Sequence, residues 1–194
     1  MKNVLAALIF LCVVCTNVSA QTKPIRPEAL GISFIMNDFT TPQQIRSGSL
    51  AAVLRDKQFS KFKEMSPGLA VTYFKGLKSY LDFAGTLAGS FVEYPLRNKS
   101  VQSNSEAFLL EIDGSVNLKL LDERYWMTPY VSAGLGASKF KGYYAAFIPL
   151  GLGFKVNLFD EAAISFGSQY RVPVTETANY HFMYNVGISG VIGK

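Results

Sequence analysis

The chain has 194 residues, 49% of them hydrophobic and 17% charged, with a formal net charge of +5, two cysteines and one histidine. So few cysteines and histidines exclude a disulfide scaffold and a Cys/His metal centre. The mild basic surplus is not the footprint of a nucleic-acid binder, and no cofactor or metal is expected.

The first twenty residues, MKNVLAALIFLCVVCTNVSA, carry a charged start at Lys2, an apolar run from Val4 to Val14 and a small-residue exit at Val18-Ser19-Ala20. They read as a secretory signal peptide, residues 1–20, cleaved before Gln21. Cys12 and Cys15 both leave with it. Residues 21–28, polar with two prolines, read as a periplasmic lead-in, and 29–194 as one domain. No later apolar run approaches the roughly 20 residues of a spanning helix. Any membrane crossing must therefore use strands.

Period-2 alternation predicts eight strands. Ala29–Asp38 sets Leu30, Ile32, Phe34 and Met36 against Gly31, Ser33, Ile35 and Asn37. A long connection over 39–66 follows, with a helix start at Thr41-Pro42-Gln43-Gln44, Thr41 as its cap, and a second short helix over Leu50–Lys63. The next strands are Gly68–Lys75, a tight turn at Lys75–Lys78, and Ser79–Tyr94. After a solvated loop over 95–107 comes Phe108–Leu121, the clearest alternation in the chain. Tyr130–Ser138, a loop over 139–147, Leu150–Leu158 and Ala163–Arg171 lead to a last loop over 172–179. The closing strand, Tyr180–Lys194, sets Tyr180, Phe182, Tyr184, Val186, Ile188 and Ile192 against a small, polar face.

Long and short connections alternate, and the eight prolines fall outside the predicted strands or at their edges. Aromatics gather at strand ends as interfacial girdles would: Tyr94, Phe108, Tyr143, Tyr144, Tyr170 and Tyr180 outside, with Tyr73, Tyr80, Tyr125, Trp126 and Phe159 on the inner side. The pattern predicts an all-β fold, an eight-stranded antiparallel up-and-down transmembrane barrel with both termini periplasmic. The rival is a soluble periplasmic ligand-carrying barrel, with apolar side chains inside and charges in water.

The inward face then carries Asp82, Glu111 and Asp113 against Lys119, Lys155 and Arg171, with Gln169, Asn117 and Asn157 beside them. An eight-stranded barrel is only wide enough for side chains to fill, so a structural polar network is expected of Asp82, Glu111, Asp113, Lys119, Lys155, Gln169 and Arg171. Two sharper readings stay open. One is a small gated pore. The other is a lipid-modifying enzyme using His181 with Glu111 or Asp113 and a serine. No catalytic residue is assigned, because no GxSxG-type context exists and a lone histidine at a barrel mouth is usually a hydrogen-bond partner.

The segments GISFIMNDF (Gly31–Phe39), MSPGLAVTYFKGLKSYLDFAGTLAGSF (Met65–Phe91), YWMTPYVSAGLG (Tyr125–Gly136) and YHFMYNVGISG (Tyr180–Gly190) resemble the N-terminal barrel of outer-membrane protein A-type proteins. The resemblance implies an eight-stranded outer-membrane barrel without the peptidoglycan-binding domain, with structural, adhesive or small-pore roles and no catalytic residues. The expected partners are outer-membrane lipid and lipopolysaccharide, with the basic first loop the foremost contact, and a protein partner at the outside loops. A monomer is expected. Family barrels commonly end in an aromatic insertion signal, and the chain ends at Lys194, so the start of the last strand is expected to carry that signal.

Overall fold

The computed structural model describes residues 25–94, 106–121, 125–158 and 161–192. The expected signal peptide, most of the 95–107 loop, Phe159 and Lys194 lie outside these residues. Eight strands follow the chain: β1 (Ala29–Asp38), β2 (Ser66–Lys78), β3 (Leu81–Val92), β4 (Ala107–Lys119), β5 (Met127–Phe140), β6 (Tyr143–Leu158), β7 (Ala162–Pro173) and β8 (His181–Val191). Each pairs antiparallel with the next, and β8 pairs back onto β1, so the sheet closes as a barrel and no edge is left exposed.

The registers set its shape. From Asp38 the ladder leads through Phe182, Tyr170, Leu150, Ala133, Val116, Phe83 and Lys75, and returns to β1 opposite position 28, ten residues below position 38. Ten residues of rise spread over eight strand spacings tilt the strands by about 40°. At that tilt a 12-residue strand such as β3 rises about 30 Å, the thickness of a hydrocarbon core. No helix among the described residues is long and apolar enough to cross a membrane.

The alternation places residues as their polarity demands. In β4, Leu109, Glu111, Asp113, Ser115, Asn117 and Lys119 are buried, while Phe108, Leu110, Ile112, Val116 and Leu118 are exposed. In β1, Leu30, Ile32 and Phe34 are exposed, and Ser33, Ile35 and Asn37 are buried. The greasy face of this protein is its outside.

Several boundaries differ from the sequence reading. Residues 139–147 are not a long loop: β5 and β6 form one hairpin around Lys141 and Gly142, whose φ values are 46° and 88°. Left-handed values at both central residues are what a tight two-residue hairpin turn requires. The hairpin also packs inward, because the buried ring of Phe147 lies on Gly136, where an added Cβ would overlap Phe147 Cζ. Gly142→Val should therefore cost about 1–2 kcal/mol from backbone strain alone, since nothing crowds the position, as read by urea unfolding of the folded barrel.

Pro149 lies in the middle of β6 rather than outside a strand. The β5–β6 ladder is interrupted there, running from Ala133–Leu150 to Gly136–Phe147 without a change of register. A residue with no N–H breaks the ladder locally and the long strand carries the gap. Pro67 and Pro129 also fall inside strands, near their starts. The β2–β3 turn sits at Ser79–Tyr80, not at Lys75–Lys78, with a register irregularity at Gly76–Lys78.

The connection between β1 and β2 holds α1 (Thr40–Ser47), α2 (Leu50–Arg55) and a 3₁₀ turn at Phe62–Glu64. The cap of α1 is not Thr41. Asp38 Oδ1 accepts from the backbone N–H of Thr40 and Thr41, each at 3.0 Å, so the last residue of β1 starts the helix. Thr41 is buried instead, its Oγ1 accepting from Ser60 N at 3.0 Å and so closing the loop on itself. Helix α2 ends at Arg55 and does not reach Lys63.

Candidate functional site: the polar interior

The interior is built in two charged clusters, one toward each end. Toward the short-turn end, Lys119 Nζ on β4 donates to Asp82 Oδ1 on β3 at 2.7 Å, and Lys155 Nζ on β6 lies 3.8 Å from Asp82 Oδ2. All three are buried. The lead-in takes part as well. Rather than remaining in solvent, Arg26 turns into this end of the barrel, its guanidinium 5.1 Å from the Phe74 ring centroid and donating to Ser189 Oγ at 3.2 Å. Between these groups, Asn117 and Thr128 line a cavity of about 20 Å³, room for a single water.

Toward the opposite end, Glu111 and Asp113 stand two apart on β4 and so share the inward face. Arg171 on β7 reaches both. It forms a close ion pair with Glu111, lies 3.2 Å from Asp113 Oδ2 and 3.5 Å from Gln169 Oε1, and stacks 4.7 Å above the Phe147 ring. It is fully buried, the setting in which a planar fork between two carboxylates is most useful. His181 on β8 joins the cluster with Nε2 3.4 Å from Glu111 Oε1, while Nδ1 meets the Asn179 carbonyl at 3.2 Å.

Apolar groups fill the space that the charges leave. Ile35, Ala70, Ala88 and Met183 form a buried cluster; Ala88 stands opposite Glu111 in the β3–β4 ladder and Met183 opposite Gln169 in the β7–β8 ladder. Above the upper charges lies an aromatic cover. Phe39 stacks on His181 at 4.8 Å and meets Tyr94 edge-on at 5.2 Å, and Tyr94 packs on Phe140 at 5.1 Å. Tyr94 is thus buried and accepts from Asn179 N at 2.7 Å, so it is not part of an outer girdle.

The structure brings all seven network candidates inside but divides them: Asp82, Lys119 and Lys155 in one cluster, and Glu111, Asp113, Gln169 and Arg171 in the other. Asn157 sits apart, at the short-turn rim, donating to the Tyr125 carbonyl at 3.3 Å. Arg26 and Phe147 escaped the sequence reading, and His181, considered there beside Glu111 or Asp113 only as an enzyme site, was left out of the structural network. The signal for His181 was its inward parity on β8, level with Arg171 in the β7–β8 register. His181→Ala should cost about 1–3 kcal/mol in urea unfolding, less than loss of Arg171, because Glu111 keeps its guanidinium.

One ion pair ties the lead-in to the wall: Lys75 Nζ on β2 lies 3.0 Å from Glu28 Oε1. The Lys75 ammonium and the Tyr73 hydroxyl hold the Glu28 carboxyl below its ordinary range.

No family model and no curated protein matches the sequence. Solved structures do. The outer membrane protein OprG from Pseudomonas aeruginosa aligns with a TM-score of 0.56 and 10% identity, over 87% of this chain and 97% of that one. Neisserial surface protein A aligns at 0.53 and 12% identity, covering 84% of this chain and 96% of its own. Ail, the attachment invasion locus protein of Yersinia pestis, aligns at 0.52 and 9% identity, over 86% and 99%. At such identities the likeness is one of fold, and it agrees with the resemblance carried by the strand segments. The chain is an eight-stranded antiparallel β-barrel of the outer-membrane type.

Proposed function

We propose that the protein is an integral outer-membrane barrel with a structural and surface-interaction role, a plugged polar lumen and no catalysis. The observation that carries this reading is the inversion of polarity across the barrel wall. Leu135, Leu152 and Ile32 are 72%, 66% and 60% exposed on the outside, while Arg171 and Glu111 are 0% and 2% exposed within. Water outside that wall would face a continuous apolar band, and an apolar ligand inside would meet ion pairs. A soluble carrier needs the reverse of both.

Both termini then lie in the periplasm, at the end with the short turns, and the helical first loop faces outward. That loop carries Arg46, Arg55, Lys57, Lys61 and Lys63 beside exposed Leu50, Leu54, Phe59 and Phe62. Basic and apolar side chains together suit an anionic amphiphile, which supports lipopolysaccharide as the first partner. The absence of catalysis is supported by the surroundings of His181, which is 2% exposed, covered on one face by Phe39 and turned by Nδ1 to the Asn179 carbonyl, leaving a substrate no access.

Fractionation tests the reading. The protein should stay with the outer-membrane fraction after carbonate washing and come out only with detergent. Recovery in the soluble periplasmic fraction would overturn it. The enzyme alternative requires a lipid-modifying activity that disappears in a folded His181→Ala barrel.

A further inference from the structure

The aromatic side chains of the outer wall are unevenly placed. Tyr180, Tyr170, Phe182 and Tyr184 form one continuous run over β7 and β8, with successive ring centroids 5.9, 4.9 and 6.0 Å apart. At one end of this run the Arg46 guanidinium, from α1, lies 3.9 Å from the centroid of Tyr180. At the other end Tyr184 lines an apolar groove of about 610 Å³ across β5–β8, walled by Val131, Leu152, Phe154, Phe166 and Val186.

We propose that this wall is a binding site for one acylated, phosphorylated lipid of the outer leaflet, with its phosphate on Arg46 and an acyl chain along the aromatic run into the groove. The proposal rests on the membrane reading above and narrows its partner from a whole loop to one rim position and the wall beneath it. A guanidinium held flat on a ring uses its face for stacking and keeps its in-plane N–H donors for a ligand, and a phosphate accepts them as a fork. The cation stands on the outside loop, at the height of the headgroups, and the groove descends below it in the hydrocarbon. An amphiphile with negative charge at one end and a chain at the other satisfies both. A zwitterionic lipid brings its own cation to the phosphate and gains less from Arg46, and a water-soluble partner cannot enter the groove.

The test uses the purified barrel in phosphatidylcholine nanodiscs doped with lipid A, with bound lipid counted by native mass spectrometry. A one-to-one lipid A adduct is expected to survive collisional removal of phosphatidylcholine. Arg46→Gln should weaken it about threefold or more, the scale of one stacked, ligand-bound cation. Ser168→Trp, which fills the groove while leaving Arg46 in place, should weaken it as well. A Lys139→Gln variant, which removes a cation over the Tyr144 ring at the β5–β6 end of the same rim, should retain it. The proposal is overturned if Arg46→Gln binds as the parent does, if Lys139→Gln loses the adduct as fully as Arg46→Gln, or if phosphatidylcholine is retained equally well. Should neither the parent nor any variant insert into a bilayer, the membrane reading itself is what has failed.

Discussion

Replacing Arg171 with alanine is expected to cost about 3–5 kcal/mol, because it leaves two carboxylates, Glu111 and Asp113, buried without the cation between them. Neither oxygen pair can turn to solvent. Glu111 faces the barrel axis beneath the Phe39–Tyr94 cover, and Asp113 lies one inward position deeper on the same strand. His181 offers Glu111 a second partner but does not reach Asp113 in any contact described. The loss is read as a drop in urea midpoint for the barrel refolded into lipid vesicles, with the slope of the transition unchanged. The comparison that isolates the cause replaces all three charges with leucine. If the penalty comes from uncompensated charge, the triple variant regains most of what Arg171→Ala loses, since buried ion pairs are often matched by apolar residues of similar volume. An Arg171→Ala barrel within 1 kcal/mol of the parent would mean that water already reaches Glu111 and Asp113, and that the plug is not closed.

The fold was legible in the sequence because a barrel wall writes itself as parity. Glu111, Asp113, Lys119, Lys155 and Arg171 were assigned inward from alternation alone, and all are buried. What parity cannot supply is position along and around the axis. It gave one network of seven residues. The separation into an Asp82–Lys119–Lys155 cluster and a Glu111–Asp113–Arg171 cluster follows from the ten-residue stagger, which is a property of all eight registers together. The strand ends were hardest to read. Lys141–Gly142 lacks the Asn or Asp that marks a tight hairpin turn, and Pro149 stands where a strand interior needs an N–H, so nothing local in 139–147 spells the β5–β6 hairpin. Tyr94 was misplaced, and Arg26 missed, for a related reason. Each follows or precedes a strand, where the period no longer says which way a side chain points, and each instead folds into a mouth of the barrel.

The two clusters also make a prediction about ions, in which the sign of the current tells which cluster limits it. In the parent barrel, Arg171 with its two carboxylates and Asp82 with Lys119 and Lys155 are constrictions in series, so planar-bilayer conductance should be small or flickering. Opening one leaves the other in the path. Arg171→Ala should raise conductance modestly and shift selectivity toward cations, because Glu111 and Asp113 then line the upper level. Asp82→Ala should raise it modestly in the opposite sense, toward anions, by removing the carboxylate that Lys119 and Lys155 face. The double variant should conduct more than the two single gains together, since resistances in series yield most when both are lowered. A steady, large and selective current from the unmodified barrel would show that the charges line an open path and that the lumen is a pore. A double variant that conducts no better than the parent would place the barrier elsewhere, in the Phe39–Tyr94–Phe140 cover, and Phe39→Ala would then be the substitution that opens it.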